Sequence, residues 1–359
     1  MELNDLFLIK QYSMLQETKN ALLSKNLLAL TQYHLLHCSD YARLISIFHP
    51  EWDRHEELTK IPYLPVGLFK KSRLLSIPDE EVFKVLTSSG TTSDNVSRIY
   101  LDRETARRQT LALSRIMTHV LGQRRLPMII VDSKDLIKNP RTFSARGAGV
   151  LGMMSFGRKH FYALNENMEL DKDGIESFLN ENGQDPFLIF GFTFMLWKYF
   201  LLRFGEAGPD LSKGILFHSG GWKKLQEDAV DNKTFKRKFK QVTDLERIYN
   251  FYGMVEQVGS VFLEGEDGFL FAPNFADIII RDPRTWEEAP IGRPGIIQVL
   301  SLLPLSYPGH SLLTEDIGVL HGVDDAPCGR KGKYFSVIGR VPRAELRGCS
   351  DTHAYGGAK

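Results

Sequence analysis

The chain has 359 residues, of which 43% are hydrophobic and 25% charged, the balance of an ordinary soluble globule and not of a membrane protein or a disordered tail. Lysine plus arginine (45) nearly cancels aspartate plus glutamate (44), giving a formal net charge of +1. That argues against a generally basic nucleic-acid binder and leaves room only for a local patch. At roughly 150 residues per domain the length holds one large domain or two, each able to bury a core.

From about Leu3 to Phe48 leucines recur at three- and four-residue steps, which predicts helices packed on the body. Within them His34, His37 and Cys38 lack a carboxylate or second cysteine at a ligand spacing and are read as helix-face residues. Prolines and a glycine between Glu51 and Asp79 suggest a connecting layer leading into a strand, EVFKVLTSS. After a polar turn, a long helix is expected from Asp102 to Gly122, with Asp102 as its cap and Leu111, Ile116, Val120 and Leu121 inward. The pattern then alternates: strand LPMIIVDS, helix from Arg146 to Met154, strand HFYAL, helix from Asp171 to Glu181, strand PFLIFGF, helix to Phe204, strand GILFHSGG, helix from Lys223 to Lys240. Such alternation predicts an α/β architecture with a largely parallel sheet. Beyond Asp244 shorter runs (SVFLEG, GFLFAP, DIIIRD, GIIQVLSL, SLLTEDIGVL and KYFSVIGRV), punctuated by turn dipeptides, predict a β-rich lobe. The expected organisation is a helical layer over 1–80, an α/β core over 81–243, a β-rich lobe over 244–341 and a hinge with a mobile tail over 342–359.

The most apolar stretch, Pro186 to Phe204, contains Gly191, Thr193, Lys198 and Arg203 and is read as a buried strand followed by a core helix, not as a membrane span. Its aromatics Phe187, Phe190, Phe192, Phe194 and Trp197 suit either a core or one wall of an apolar pocket. The N-terminus carries Glu2 and Asp5 where a secretory signal has a basic start, so no export is expected. Cys38, Cys328 and Cys349 are far apart and odd in number, which suits neither a zinc site nor a disulfide framework and points to a reducing, cytoplasmic setting.

The most informative segment is TSSGTTSDNVSRI, Thr87 to Ile99, where hydroxyl side chains cluster around Gly90 ahead of Arg98. Hydroxyls and backbone N–H groups in such a turn can donate to phosphate oxygens. It is not a Walker loop, since GxxxxGK[ST] is absent from the chain. Taken alone, such a Ser/Thr-rich turn is more often a polar surface loop. It is followed in order by HSGGW, FYGMVEQ, LLTED and a late Gly339-Arg340.

Five elements in this order resemble the adenylate-forming, AMP-binding superfamily, and the spellings TSSGTTSDNVSRI, HSGGWKKL and RVPRAELRGCS resemble within it the acyl-protein synthetases of the LuxE type. The likeness spans Thr87 to Ser350. It implies the layered α/β halves and β-rich lobe of the N-terminal part of that architecture, without the usual full C-terminal swinging domain or its lysine, since the chain stops at Lys359. It also implies ATP and Mg²⁺ as cofactors. The activity implied is activation of a carboxylic acid, a fatty acid in this family, to acyl-AMP, followed by acyl transfer to a thiol and on to a protein acceptor or acyl reductase. No nucleic-acid partner and no membrane span are expected.

Carried over residue by residue, the resemblance makes Ser88, Ser89, Gly90, Thr91 and Thr92 the loop that holds the β- and γ-phosphates. Ser93 stands where the superfamily has glycine, and Arg98 substitutes for the usual lysine. His218, Gly220, Gly221 and Trp222 are assigned to the adenine or acyl carbonyl, with Lys223 and Lys224 as neighbouring cations. Tyr252 and Gly253 belong with Glu256, the carboxylate implied for Mg²⁺, and Val255 replaces a superfamily threonine. Asp316 is the implied ribose acceptor, with Glu315 beside it, and Arg340 the implied arginine near the hinge. Cys349 resembles the acyl-accepting cysteine, with Arg343 or Arg347 placed to lower its pKa; a small residue packed on the last strand is the alternative. Two other readings stay open: a coenzyme A ligase similar to phenylacetate ligase, and a silent nucleotide or acyl-adenylate binder.

Overall fold

The computed structural model describes residues 3–88, 96–137, 145–222 and 229–341. The chain divides into two compact units, one of residues 1–87, 92–119 and 253–345, the other of residues 88–91, 120–252 and 346–359. Among the described residues no helix is long and apolar enough to cross a membrane.

In chain order the first unit opens with α1 (Leu3–Leu8), α2 (Gln16–His37) and α3 (Ser39–Phe48), then β1 (Leu64–Pro65), β2 (Lys84–Thr87) and β3 (Arg98–Leu101), and α4 (Arg103–Leu121), which belongs to it through His119. The second unit follows as β4 (Leu126–Ser133), α5 (Ala145–Met154), β5 (Gly157–Leu164), α6 (Lys172–Asn182), β6 (Phe187–Phe192), α7 (Thr193–Met195), β7 (Gly214–Ser219), α8 (Asn232–Thr243) and β8 (Arg247–Tyr252). The first unit is completed by β9 (Phe262–Glu264), β10 (Leu270–Phe271), β11 (Ala276–Arg281), β12 (Pro294–Ser301), β13 (Ser311–Val323) and β14 (Lys333–Arg340).

The second unit is a parallel sheet in the order β8-β7-β6-β4-β5. Its central strands β4, β6 and β7 read as apolar runs because both faces are covered: all of β6 is buried, and so is β4 after Leu126. Asp171 caps α6 by accepting from Gly174 N at 2.9 Å, and Asp231 caps α8 through Thr234 N at 2.6 Å. The helix expected from Lys223 therefore begins only at Asn232, after its cap; residues 223–228 lie outside the described residues. The helix expected after β6 is α-helical for three residues, then one π turn (Leu196–Phe200), then a 3-10 turn (Leu201–Arg203). The wider turn accompanies the stacking of Trp197 on Phe235 and Phe200 on Phe239, which locks it against α8.

In the first unit the strands run in the order β11-β12-β13-β14-β10-β9 and the pairings from β11 to β14 are antiparallel. The long β13 changes neighbours along its length. β12 pairs with it from Ser311 to Val319, while its start also pairs with β1 (Leu64↔Leu312) and from Asp316 onward it also pairs with β14. On α4 the buried stripe is Thr105, Gln109, Ala112 and Ile116. Leu111, Val120 and Leu121, expected inward, are only half-buried. Polar residues hold the inner face because backbone approaches it there: Ser306 N donates to Thr105 Oγ1 at 3.1 Å, and Gly259, at φ +89°, lies so near that a Cβ would come within 2.8 Å of Gln109 backbone.

His34 is a helix-face residue of α2, and its face is the buried one. It is fully buried, bonded through Nδ1 to Ser76 Oγ at 2.8 Å, and stacked on His310 with centroids 5.0 Å apart. Thr31 Oγ1 donates to Leu27 O, so at its 2.9 Å contact with His310 Nε2 the ring nitrogen is the donor and Nδ1 is left bare. Burial pushes both imidazoles down, His310 to about 3. Folding therefore holds them neutral, and the stability this contributes is present above the free pKa of about 6.5 and lost as pH falls below it. Each histidine is expected to cost about 1.4 kcal/mol per pH unit in that window. Urea unfolding at a series of pH values should show the slope reduced by that amount in His310→Gln; an unchanged slope would contradict the assignment.

Candidate functional site

The hydroxyl-rich segment does not run from a strand into a helix as expected. β2, which precedes it, pairs antiparallel with β3, which follows it, and Thr87 stands opposite Arg98. The short strand β3, with Ile99 and Leu101 buried, stands between the segment and α4. Ser88 directly follows β2 and is half-buried, and Arg98 is exposed at the start of β3. Ser89, Gly90, Thr91, Thr92 and Ser93 lie outside the described residues, as do Lys223, Lys224, Arg343, Arg347 and Cys349.

In the first unit Glu256 sits in a 3-10 turn (Val255–Gln257) and is 7% exposed. The turn is fixed by Tyr307, whose hydroxyl donates to Glu256 O at 2.9 Å, and by Gln257 Nε2, which donates to Gly309 O at 2.8 Å and Val299 O at 3.2 Å. Burial pushes the Glu256 carboxyl above the usual carboxylate range; the Ser97 hydroxyl and the Lys70 ammonium act against that shift, and Glu315 adds to it. A carboxylate held against burial in this way is one that a cation would stabilise.

Asp316 on β13 stands in register with Arg340 on β14. Arg340 Nε donates to Asp316 Oδ1 at 3.2 Å and Nη2 to Glu315 Oε2, also at 3.2 Å. Neighbouring residues of a regular strand face opposite ways. One guanidinium bridges both carboxylates here beside a register irregularity at Ile317/Gly318. Thr314 Oγ1 bonds Ile297 O at 2.7 Å and accepts from Asp316 N at 3.1 Å, which fixes the backbone at this point. Two residues that the motifs single out 24 positions apart are thus direct partners, and Glu315 joins them.

In the second unit the selected residues stand at the C-terminal ends of parallel strands, the edge where open α/β sheets bind ligands. His218 is on β7, Gly220 and Gly221 follow it, and Tyr252 ends β8. Gly220 has φ +85°, a conformation that favours glycine, and nothing lies within 4 Å of where a Gly221 Cβ would stand. Trp222 meets Trp197 edge to face at 5.6 Å. His218 is buried and stacked on Phe235 at 4.5 Å, and burial lowers its pKa to about 3. Thr193 Oγ1 donates to Ser219 O at 3.1 Å, so its 2.9 Å contact with His218 Nδ1 makes that nitrogen the donor. Nε2 is then a bare acceptor, buried and without a partner among the described residues. Phe187, Phe190 and Phe192 are core residues of β6.

A family model, acyl-protein synthetase, LuxE, matches residues 1–355. The chain belongs to the acyl-protein synthetase (LuxE) family. As a member it is an ATP-dependent acid ligase. It is similar to the long-chain-fatty-acid–luciferin-component ligase of Vibrio harveyi, at 26% identity over 97% of this chain and 92% of that protein. To the ligase of the same name from Aliivibrio fischeri it is 23% identical, over 83% and 79%. Among solved structures it resembles 2-hydroxyisobutyryl-CoA ligase in the postadenylation state with 2-HIB-AMP: TM-score 0.67, 18% identity, 92% of this chain and 69% of that one. The open conformation of that ligase gives TM-score 0.65 over 88% and 74%. This likeness establishes the adenylate-forming ligase fold for the family member.

Several residues around these positions carry no motif. Tyr307, which fixes the Glu256 turn, lies in a stretch without a motif, and Gln257, the last residue of FYGMVEQ, carries no implied role; their burial as polar groups sets them apart. Ser97 is legible as the last hydroxyl of the Thr87–Ile99 segment. Asp132, at the end of the apolar run LPMIIV, and Arg146 are buried charges that motif reading passes over.

Proposed function

We propose that this family member activates a fatty acid with ATP, forming acyl-AMP and pyrophosphate, and passes the acyl group to a thiol, Cys349, before a partner receives it. The acid's carboxylate oxygen attacks the α-phosphorus as the bond to pyrophosphate breaks, so charge grows on phosphoryl oxygens and catalysis consists of positioning and charge stabilisation. Asp316 accepts from the ribose hydroxyls, and Arg340, already oriented by Asp316 and Glu315, offers its fork to ribose or phosphate oxygens. Hydroxyls of Ser88, Ser89, Thr91 and Thr92 and the backbone at Gly90 donate to the β- and γ-phosphates, with Arg98 as the nearby cation. His218, Gly220, Gly221, Trp222, Tyr252 and Gly253 border the base or the acyl carbonyl.

Among the described residues no three His, Cys, Asp or Glu side chains are grouped to hold a metal ion. Mg²⁺ commonly takes one or two carboxylates and completes its shell with water and substrate phosphates, so it does not require such a group. Glu256, buried and with its ionised form disfavoured by that burial, would hold it. The ion would neutralise charge on the nucleotide phosphates.

The observation that supports this reading best is the pairing of Asp316 with Arg340 across β13 and β14, two motif residues oriented by each other. The test is acid-dependent exchange of labelled pyrophosphate into ATP across short, aromatic and long-chain acids. Exchange is expected with fatty acids. Its absence with every acid would leave the silent-binder reading in its place.

A further inference from the structure

The second unit contains an ion pair whose hydrogen bonding is incomplete. Asp132 lies near the C-terminal end of β4 and Arg146 in the first turn of α5. Arg146 Nη2 donates to Asp132 Oδ1 at 3.1 Å, and both side chains are 1% exposed. Asp132 Oδ1 also accepts from Ser133 N at 2.7 Å. Arg146 Nε and Nη1 and Asp132 Oδ2 have no partner among the described residues. Buried polar atoms in folded proteins are nearly always paired, so three orphans in one ion pair require an explanation beyond folding. A salt bridge kept for stability alone would use the second carboxylate oxygen and the rest of the fork.

The surroundings are apolar. Ile130, two residues before Asp132 on the same face of β4, Val150, one turn beyond Arg146 on α5, and Phe190 and Phe192 on the adjacent β6 are all buried. The Phe192 ring connects this pair to the glycine segment after β7: a Cβ at Gly149 of α5 would stand 3.2 Å from it, and one at Gly220 would stand 3.4 Å away. An unsatisfied guanidinium in an apolar shell, at the ligand-binding edge of a parallel sheet, has the chemistry of a receptor for an amphiphilic acid.

We propose that Arg146, assisted by Asp132, docks the carboxylate head of the acid substrate, with its apolar chain lying among the neighbouring side chains of β4, α5 and β6. This rests on the acid-activation reading above and makes Arg146 a substrate-binding residue. A second carboxylate beside Arg146 cannot sit next to an ionised Asp132 without repulsion, so acid binding takes up one proton from solvent onto Asp132. Among the described residues the titratable groups that act on the pair are Tyr162 on β5 and Tyr199 in the π turn that follows α7. Burial already places the Asp132 carboxyl at about 6. Affinity is therefore expected to fall about tenfold per pH unit above that value.

The experiment is calorimetric titration of octanoate into the full chain without nucleotide, over a pH series, with ATP titrated separately. Arg146→Lys keeps the charge and loses the fork, and is expected to weaken octanoate binding at least about tenfold while ATP binding stays as in the unaltered protein. Asp132→Asn is expected to bind octanoate with an affinity independent of pH. No octanoate binding by the unaltered protein, equal binding by Arg146→Lys, or a pH dependence unchanged in Asp132→Asn would each overturn the proposal, since a pair that serves only folding moves none of these. Because no nucleotide is present, failure here is separable from failure of pyrophosphate exchange.

Discussion

Replacing Glu256 by glutamine is expected to lower acid-dependent pyrophosphate exchange by about a hundredfold or more, the scale on which loss of one preorganised electrostatic contact in a closed site is felt. The substitution keeps shape and removes charge. Tyr307 and Gln257 hold the turn through backbone oxygens and not through the Glu256 carboxylate, so the fold should tolerate it. Burial disfavours the ionised form, so a neutral amide should leave thermal stability equal or slightly higher. A protein that lost activity by unfolding would show the opposite. If Glu256 holds Mg²⁺, the remaining exchange should also need more of the ion for half-saturation. Exchange within about threefold of the unaltered protein would remove Glu256 from the nucleotide chemistry.

Cys349→Ala should separate the two half-reactions. With labelled fatty acid and ATP the unaltered chain is expected to acquire a covalent, hydroxylamine-sensitive acyl group: the Cys349 thiolate attacks the carbonyl carbon of acyl-AMP, the bond from that carbon to the phosphate oxygen breaks, and AMP leaves. The variant should lose the label entirely while keeping pyrophosphate exchange within about twofold. The other two cysteines are poor alternatives. Cys38 is buried, and burial raises its thiol pKa; the Cys328 thiol is likewise raised, by burial and then by Asp267. Thiolate is the nucleophile, so both are disfavoured near neutrality. Label persisting in Cys349→Ala would sink the assignment. Exchange with no label in either protein would favour a soluble thiol acceptor such as coenzyme A.

The two experiments act on different parts of the chain. Glu256 belongs to the first compact unit, and its environment is defined by burial and by hydrogen bonds from residues about 50 positions away. Cys349 is assigned from the spelling RGCS alone. Agreement of both results with expectation would support one reaction sequence by independent routes.

Local sequence carried much of the second unit. The buried strands LPMIIVDS, PFLIFGF and GILFHS are apolar runs bounded by turn residues, and Asp171, like Asp102 in the first unit, marks a helix start through a signal that acts within three residues; Asp231, the cap of α8, was not read because the helix was expected from Lys223. β3 and β8 escaped the same reading. Arg98 to Leu101 is short and follows a polar turn, and Arg247 to Tyr252 mixes Arg, Tyr and Asn with its apolar residues because most of its side chains are only partly buried. The pattern that marks a central parallel strand is missing where burial is incomplete.

Motif order alone was enough to place the chain in its family, and it singled out Glu256, Asp316 and Arg340 for the roles proposed above, because residues tied to fixed neighbours leave a readable local spelling. What joins Asp316 to Arg340, His34 to His310, and Asp132 to Arg146 in an apolar shell was settled only by strand register and by which surfaces become buried together. Those relations depend on closing long loops and matching faces far apart in the chain, and no window of neighbouring residues contains them.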